Sequence, residues 1–152
     1  MILSRSAAYG VRAMIDVATV ADGGVAITRE VAERQDIPQV FLTKIIQRLA
    51  QAGLLEAHRG AHGGVRLARP AGEITLRQII EVMGGPLFMN YCLFRPGECP
   101  REKDCPVHDV WLEAQEKLLE TLGSCTLAHL AERSKELCAK QTNSTNQPKM
   151  KE

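Results

Sequence analysis

The sequence predicts a mainly α-helical fold with one small β-hairpin. Three observations carry that expectation. Apolar residues recur at three- and four-residue spacing through most of the 152 positions. One glycine-rich segment, 59–64, separates two short stretches suited to strands. Residues 108–122 form a helical pattern that is apolar on more than one side. A hydrophobic fraction of 45% in a chain of this length is enough for one ordinary core and leaves little room for a large active-site cavity.

The first helix is expected over 4–20, where Ala7, Ala8, Val11, Met14, Ile15, Val17 and Ala18 form a broad stripe that stops at Ala21-Asp-Gly-Gly. Thr28 reads as the cap of a short helix that carries Val31 and Ala32 and ends near Asp36. Pro38 disfavours helical geometry at Ile37 yet suits the start of a new helix, expected over 38–52. In that helix Phe41, Leu42, Ile45, Ile46 and Leu49 face inward and Gly53 is the stop. Segments 54–58 and 65–68 then read as strands around the tip RGAHGG. Two helices in a tight turn followed by a hairpin make a winged helix-turn-helix.

Beyond Pro70, Thr75 caps a helix that carries Leu76, Ile79, Ile80 and Met83 and ends at Gly84-Gly85. In the 108–122 helix, Trp111, Ala114, Leu118 and Leu122 lie on one line and Leu112 and Leu119 on another. Such a helix needs more than one partner, so a homodimer built on it is expected. A last helix follows over 126–140. The organisation expected is thus a DNA-binding winged helix over 1–70, a ligand loop with dimerisation helices over 71–140, and a polar disordered tail over 141–152.

No apolar run approaches the roughly 20 residues of a membrane span, and the N-terminus lacks a secretion-signal pattern, so a cytoplasmic protein is expected. Residues 1–70 hold nine basic against six acidic side chains, leaving ten against twelve beyond, a mild bias that suits a nucleic-acid-facing first half. On the 38–52 helix the apolar stripe leaves Gln39, Thr43, Lys44, Gln47, Arg48 and Gln51 outside. Gln39, Thr43 and Lys44 are expected nearest the major groove and Arg48 farther along the same face. Arg59 and His62 at the wing tip can reach phosphate or minor groove. Ser4 and Arg5 can touch phosphate or cap the first helix.

Cys92, Cys99, Cys105 and His108 supply four soft or borderline ligands within seventeen positions. Their number and the odd total of five cysteines favour metal ligation over disulfides. Six residues separate Cys92 from Cys99 and five separate Cys99 from Cys105, wider than the gaps of a zinc knuckle, so the loop would wrap around something larger or less regular than one tetrahedral ion. A structural zinc, free thiols, and His108 as a capping or surface residue remain alternatives. Cys105-Pro106-Val107-His108 reads as a helix start with Cys105 at the cap. Cys125 and Cys138 read as small buried hydrophobes. No nucleophile triad, carboxylate pair or phosphate loop is visible, so the chain is not expected to be an enzyme or to take a small-molecule substrate. A small redox protein is the distant alternative, and it leaves the helix-turn-helix without a use.

Over residues 1 to about 135 the chain resembles the bacterial Rrf-type winged-helix regulators, the group around IscR, NsrR and RirA. The resemblance rests on LSRSAAYGVRAM from Leu3 to Met14, on the stretch from Ile37 to Leu49, on RGAHGGVRL from Arg59 to Leu67, and on three cysteines before a long helix. It implies a homodimeric transcription factor, usually a repressor, that binds double-stranded promoter DNA. Its cluster would sense iron, cluster supply, nitric oxide or oxidants, with Cys92, Cys99 and Cys105 matching the ligands. The CPVH ending is similar to the IscR arrangement, in which a histidine completes a 2Fe-2S site; here that residue is His108. Ala7 and Ala8 stand where other members offer an acidic ligand. The first cysteine gap is one residue longer than in IscR, and Thr43 stands where IscR has a glutamate.

Overall fold

The computed structural model describes residues 3–20, 24–58, 60 and 63–145. Seven helices and three strands follow in the order α1 (Arg5–Val20), β1 (Ala26–Ile27), α2 (Thr28–Gln35), α3 (Gln39–Gln51), β2 (Leu55–His58), β3 (Gly64–Leu67), α4 (Leu76–Gly84), α5 (Tyr91–Phe94), α6 (His108–Ser124) and α7 (Leu127–Thr145). Single 3-10 turns sit at Ala71–Glu73 and Glu102–Asp104. The last helix therefore passes through 141–145, positions expected to begin the tail; 146–152 lie outside the described residues.

Local chemistry explains the punctuation. Asp36 adopts the left-handed conformation, φ 49°, and closes α2, after which Pro38 stands at the N-cap of α3. At the other end of α3, Gly53 takes φ 71°, its N–H meets the Ala50 carbonyl at 3.0 Å, and the Leu54 N–H meets Leu49 at 2.9 Å. This is a Schellman stop sealed by the buried pair Leu49 and Leu54. Thr75 caps α4 reciprocally: its hydroxyl accepts from the Gln78 N–H at 3.2 Å, and the Gln78 amide oxygen accepts from the Thr75 N–H at 3.0 Å. Thr28 differs from expectation. It is the first residue of α2 and makes no cap, because the preceding residue, Ile27, is already engaged in β1.

The sheet is antiparallel in the order β1-β3-β2, with His58 opposite Gly64 and Ala26 opposite Val65. The hairpin was expected; β1 was not, since two residues carry no alternation to read. Gly64 makes β1 possible. A Cβ there would lie 2.2 Å from the Ala26 carbonyl oxygen, so only glycine lets the third strand approach.

One core joins α1 (Ala7, Ala13, Met14, Val17), α3 (Leu42, Ile45, Leu49), α4 (Ile79, Ile80, Met83) and Leu127 at the start of α7. It crosses position 70 without interruption. Fully buried residues such as Leu42, Leu49 and Ile79 contribute roughly 1.5–3 kcal/mol each. Phe41, expected inside, is 55% exposed, because it stands on the flank of α3 beyond the buried stripe of Leu42, Ile45, Ile46 and Leu49. Backbone pairing fastens the entries to α4 and α7: Leu76 N–H to Cys125 carbonyl at 2.8 Å, and Leu127 N–H to Ile74 carbonyl at 2.7 Å. Cys125, read as buried, is therefore a half-buried residue in a backbone bridge, and Cys138 is exposed on α7. No described helix is long and apolar enough to cross a membrane.

Candidate functional site

Helices α2 and α3 are joined by three residues, Asp36, Ile37 and Pro38, and Ile37 is buried as the hinge pin. A half-buried ion pair braces this unit against α1. Asp16, 5% exposed, accepts from Arg34 Nη2 at 2.7 Å and Nε at 3.1 Å and from Gln35 Nε2 at 2.9 Å. The Asp16 hydrogen bond, opposed by some desolvation, holds the Arg34 guanidinium above its ordinary pKa range. Sequence reading passed over Asp16, although an acid in the middle of an otherwise apolar helical stripe is a signal for a buried partner.

With α3 pinned by its apolar face, Gln39, Thr43, Lys44, Gln47 and Arg48 are all exposed on the other. Thr43 Oγ1 donates to the Gln39 carbonyl at 2.9 Å, so this hydroxyl keeps only its acceptor capacity. Arg48 Nη1 donates to the Met83 carbonyl at 3.0 Å, the negative end of α4, and so ties α3 to α4. Gly10 of α1 makes room at the same joint, where a Cβ would lie 2.7 Å from Met83 Cγ. Ser4 caps α1, its hydroxyl accepting from the Ala7 N–H at 3.1 Å, and Arg5 is exposed beside it. Arg59 and His62 lie outside the described residues; next to them the Gly63 N–H donates to the Gly60 carbonyl at 2.9 Å.

The cysteine loop starts where α4 ends. Leu87 and Leu93 anchor it in the interior, and Phe88 meets Phe94 edge to face with centroids 5.2 Å apart. Gln115, the one buried residue of α6, holds the loop's entry: its Oε1 accepts from the Met89 N–H at 2.8 Å and its Nε2 donates to the Leu87 carbonyl at 2.7 Å. The sequence held a clue to it, a lone amide four residues after Trp111 and four before Leu119, on the apolar side of the helix. Farther along, Glu98 accepts from the Tyr91 hydroxyl at 2.7 Å and pairs with Arg95 at 3.0 Å, while Glu102 accepts from the Gly97 N–H at 2.6 Å. The bond to Glu98, more than desolvation, raises the Tyr91 pKa above its ordinary 10.0.

Cys92 sits in α5, Cys105 follows the 3-10 turn, Cys99 lies between them, and His108 opens α6; all four are half-buried. Cys105 is not the cap of α6. That position belongs to Val107, because 105–108 forms a separate turn closed by the His108 N–H to Cys105 carbonyl bond at 3.1 Å. Among the described residues no three cysteine, histidine, aspartate or glutamate side chains converge as a metal site. Three thiols and an imidazole, each partly accessible, are thus held on separate turns of the loop.

A transcriptional-regulator family model, Rrf2, described as an iron-dependent transcriptional regulator, matches residues 3–133. The chain belongs to the Rrf2 family. That match runs from α1 into α7 and includes the helix-turn-helix, the wing and the cysteine loop. The HTH-type transcriptional regulator IscR of Xenorhabdus nematophila is 32% identical over 130 residues, 86% of this chain and 79% of that protein. Among solved structures, T. potens IscR superimposes with a TM-score of 0.69 at 31% identity over 90% of each chain. CymR, the global cysteine regulator of B. subtilis, gives 0.76 at 27% identity over 88% of this chain and 98% of that one. The winged-helix fold is that of the Rrf2 regulators, and the chain is a transcriptional regulator, not an enzyme.

Proposed function

We propose that this Rrf2 protein is a homodimeric repressor whose affinity for promoter DNA is set by an iron-sulfur cluster, of the 2Fe-2S type, held by Cys92, Cys99, Cys105 and His108. One observation carries the reading. The loop with these donors is spliced between α4, whose end Arg48 grips from the recognition helix, and α6, whose Gln115 grips the loop's entry. A bound cluster supplies iron and sulfide that react with oxidants and nitric oxide or are lost when iron is scarce. This chain's residues do the rest. Gathering four donors into one site draws α5 and the start of α6 together, and α4 passes a change in the loop to α3 through the Met83 carbonyl.

On the DNA side, Gln39 and Lys44 present donors to base edges and phosphates, and Thr43 presents an acceptor suited to an exocyclic amino group. Arg48 keeps α3 at its angle, Ser4 and Arg5 approach phosphate at the start of α1, and Arg59 and His62 supply charge and donors for phosphate or the minor groove. The dimer forms through α6, where Val110 and Leu112 are 56% and 42% exposed beside the half-buried Trp111.

Anaerobic purification with visible absorbance and iron and sulfide analysis tests the cluster. A coloured protein holding iron and sulfide in equal amounts is expected, and Cys92→Ala should lose the colour and change operator affinity. Unchanged affinity and salt dependence in that variant would sink the switch. The likeness to a cysteine regulator favours one second reading: a clusterless thiol- or zinc-based switch on the same scaffold. Colourless protein with stoichiometric zinc would establish it.

A further inference from the structure

Val40, the second residue of α3, is 71% exposed, more than any other large apolar side chain among the described residues. Single exposed valines are ordinary on protein surfaces. This one is set apart by its place. The buried stripe of α3 is Leu42, Ile45, Ile46 and Leu49. At 3.6 residues per turn the direction opposite that stripe falls within about 10° of Val40. Thr43, Lys44 and Gln47 follow it at i+3, i+4 and i+7, so Val40 is the crest of the outward face at the end of a recognition helix that goes deepest into a groove.

We propose that Val40 reads the 5-methyl group of a thymine in the major groove, an inference that rests on the DNA-binding reading of α3. The occupant follows from the surroundings. The polar side chains on this face suit base edges and a phosphate backbone, and the feature of a B-form major groove that an aliphatic group can recognise is the thymine methyl. A β-branched side chain is confined to one χ1 well in a helix, so Val40 offers its methyls without an ordering cost. Phe41 stands on the flank of the helix, about a quarter-turn from Val40, and Thr43 turns its hydroxyl back onto the Gln39 carbonyl, which leaves Val40 as the outermost apolar group on this face.

The test begins with duplexes that the full-length protein itself selects from a random pool. Each thymine of the selected half-site is replaced in turn by deoxyuridine, which removes one methyl and leaves pairing intact. One position per half-site should weaken wild-type binding about fourfold, the worth of one buried methyl-sized group. The same replacement should leave Val40→Ala and Val40→Ser unchanged, with both variants retaining the wild-type circular dichroism. A half-site without a sensitive thymine, or a loss of equal size in wild type and both variants, overturns the assignment of Val40. Failure to select any duplex overturns the DNA-binding reading itself, and the two failures are thereby told apart.

Discussion

Gln115 is a residue whose removal should be felt far from its own position. It satisfies a part-buried N–H and a buried carbonyl at the mouth of the cysteine loop, and Gln115→Leu keeps the volume while leaving the buried Leu87 carbonyl unpaired, at about 1–3 kcal/mol. Urea unfolding should show a loss in that range, and proteolysis should open the chain near Met89. Tyr91 offers a pH signature. Its pKa is raised in the folded protein, so the bond to Glu98 contributes at pH below the ordinary 10.0 and is lost as the pH climbs through the raised value. Ultraviolet titration should therefore show a tyrosine ionising above pH 10.0 that Tyr91→Phe abolishes. At this scale the sequence was legible at Thr75, which acts on its near neighbour Gln78, though not at Thr28 or Cys105, where an adjoining strand and turn moved the cap. It was opaque for Asp16 and Gln115, whose partners lie 18 and 26 to 28 positions away. Phe41 was misread for a related reason: periodicity defines a stripe, and its margins depend on what packs beside it.

Among the elements, the third strand depends on the absence of a side chain. Gly64→Ala places a methyl on the Ala26 carbonyl and should cost about 1–3 kcal/mol through overpacking. Amide exchange would report the damage: protection across β1 should vanish, while β2 opposite β3 keeps its register. Helices and hairpin were readable because each repeats a period over several residues and ends in a recognisable stop. The pairing of Ala26 and Ile27 was not, since it exists only through a strand nearly forty positions on. The cysteine loop divides in the same way. Its composition singled out the candidate donors and the helix from His108, but the cap of α6 is Val107 and not Cys105, because the CPVH segment forms its own turn.

For the whole molecule, the recognition unit and the loop-bearing half are not separable bodies. Met14 and Leu42 share a core with Ile79 and Leu127, so a fragment ending at residue 70 should give the circular dichroism of an unfolded chain. A dimer held by α6 should dissociate in Val110→Arg/Leu112→Arg, giving a monomer by sedimentation equilibrium with the helical content kept. The backbone pairing of 74–76 with 125–127 has one more consequence, in the order of events during synthesis. The face of α1 that α7 covers leaves the ribosome early, and Leu127 follows only after a further hundred or so residues. At about 5–20 residues per second that interval is on the order of 5–20 s. For that time the side of α1 that α7 covers stays apolar and unsealed, so the chain is most exposed to aggregation while it is still being made.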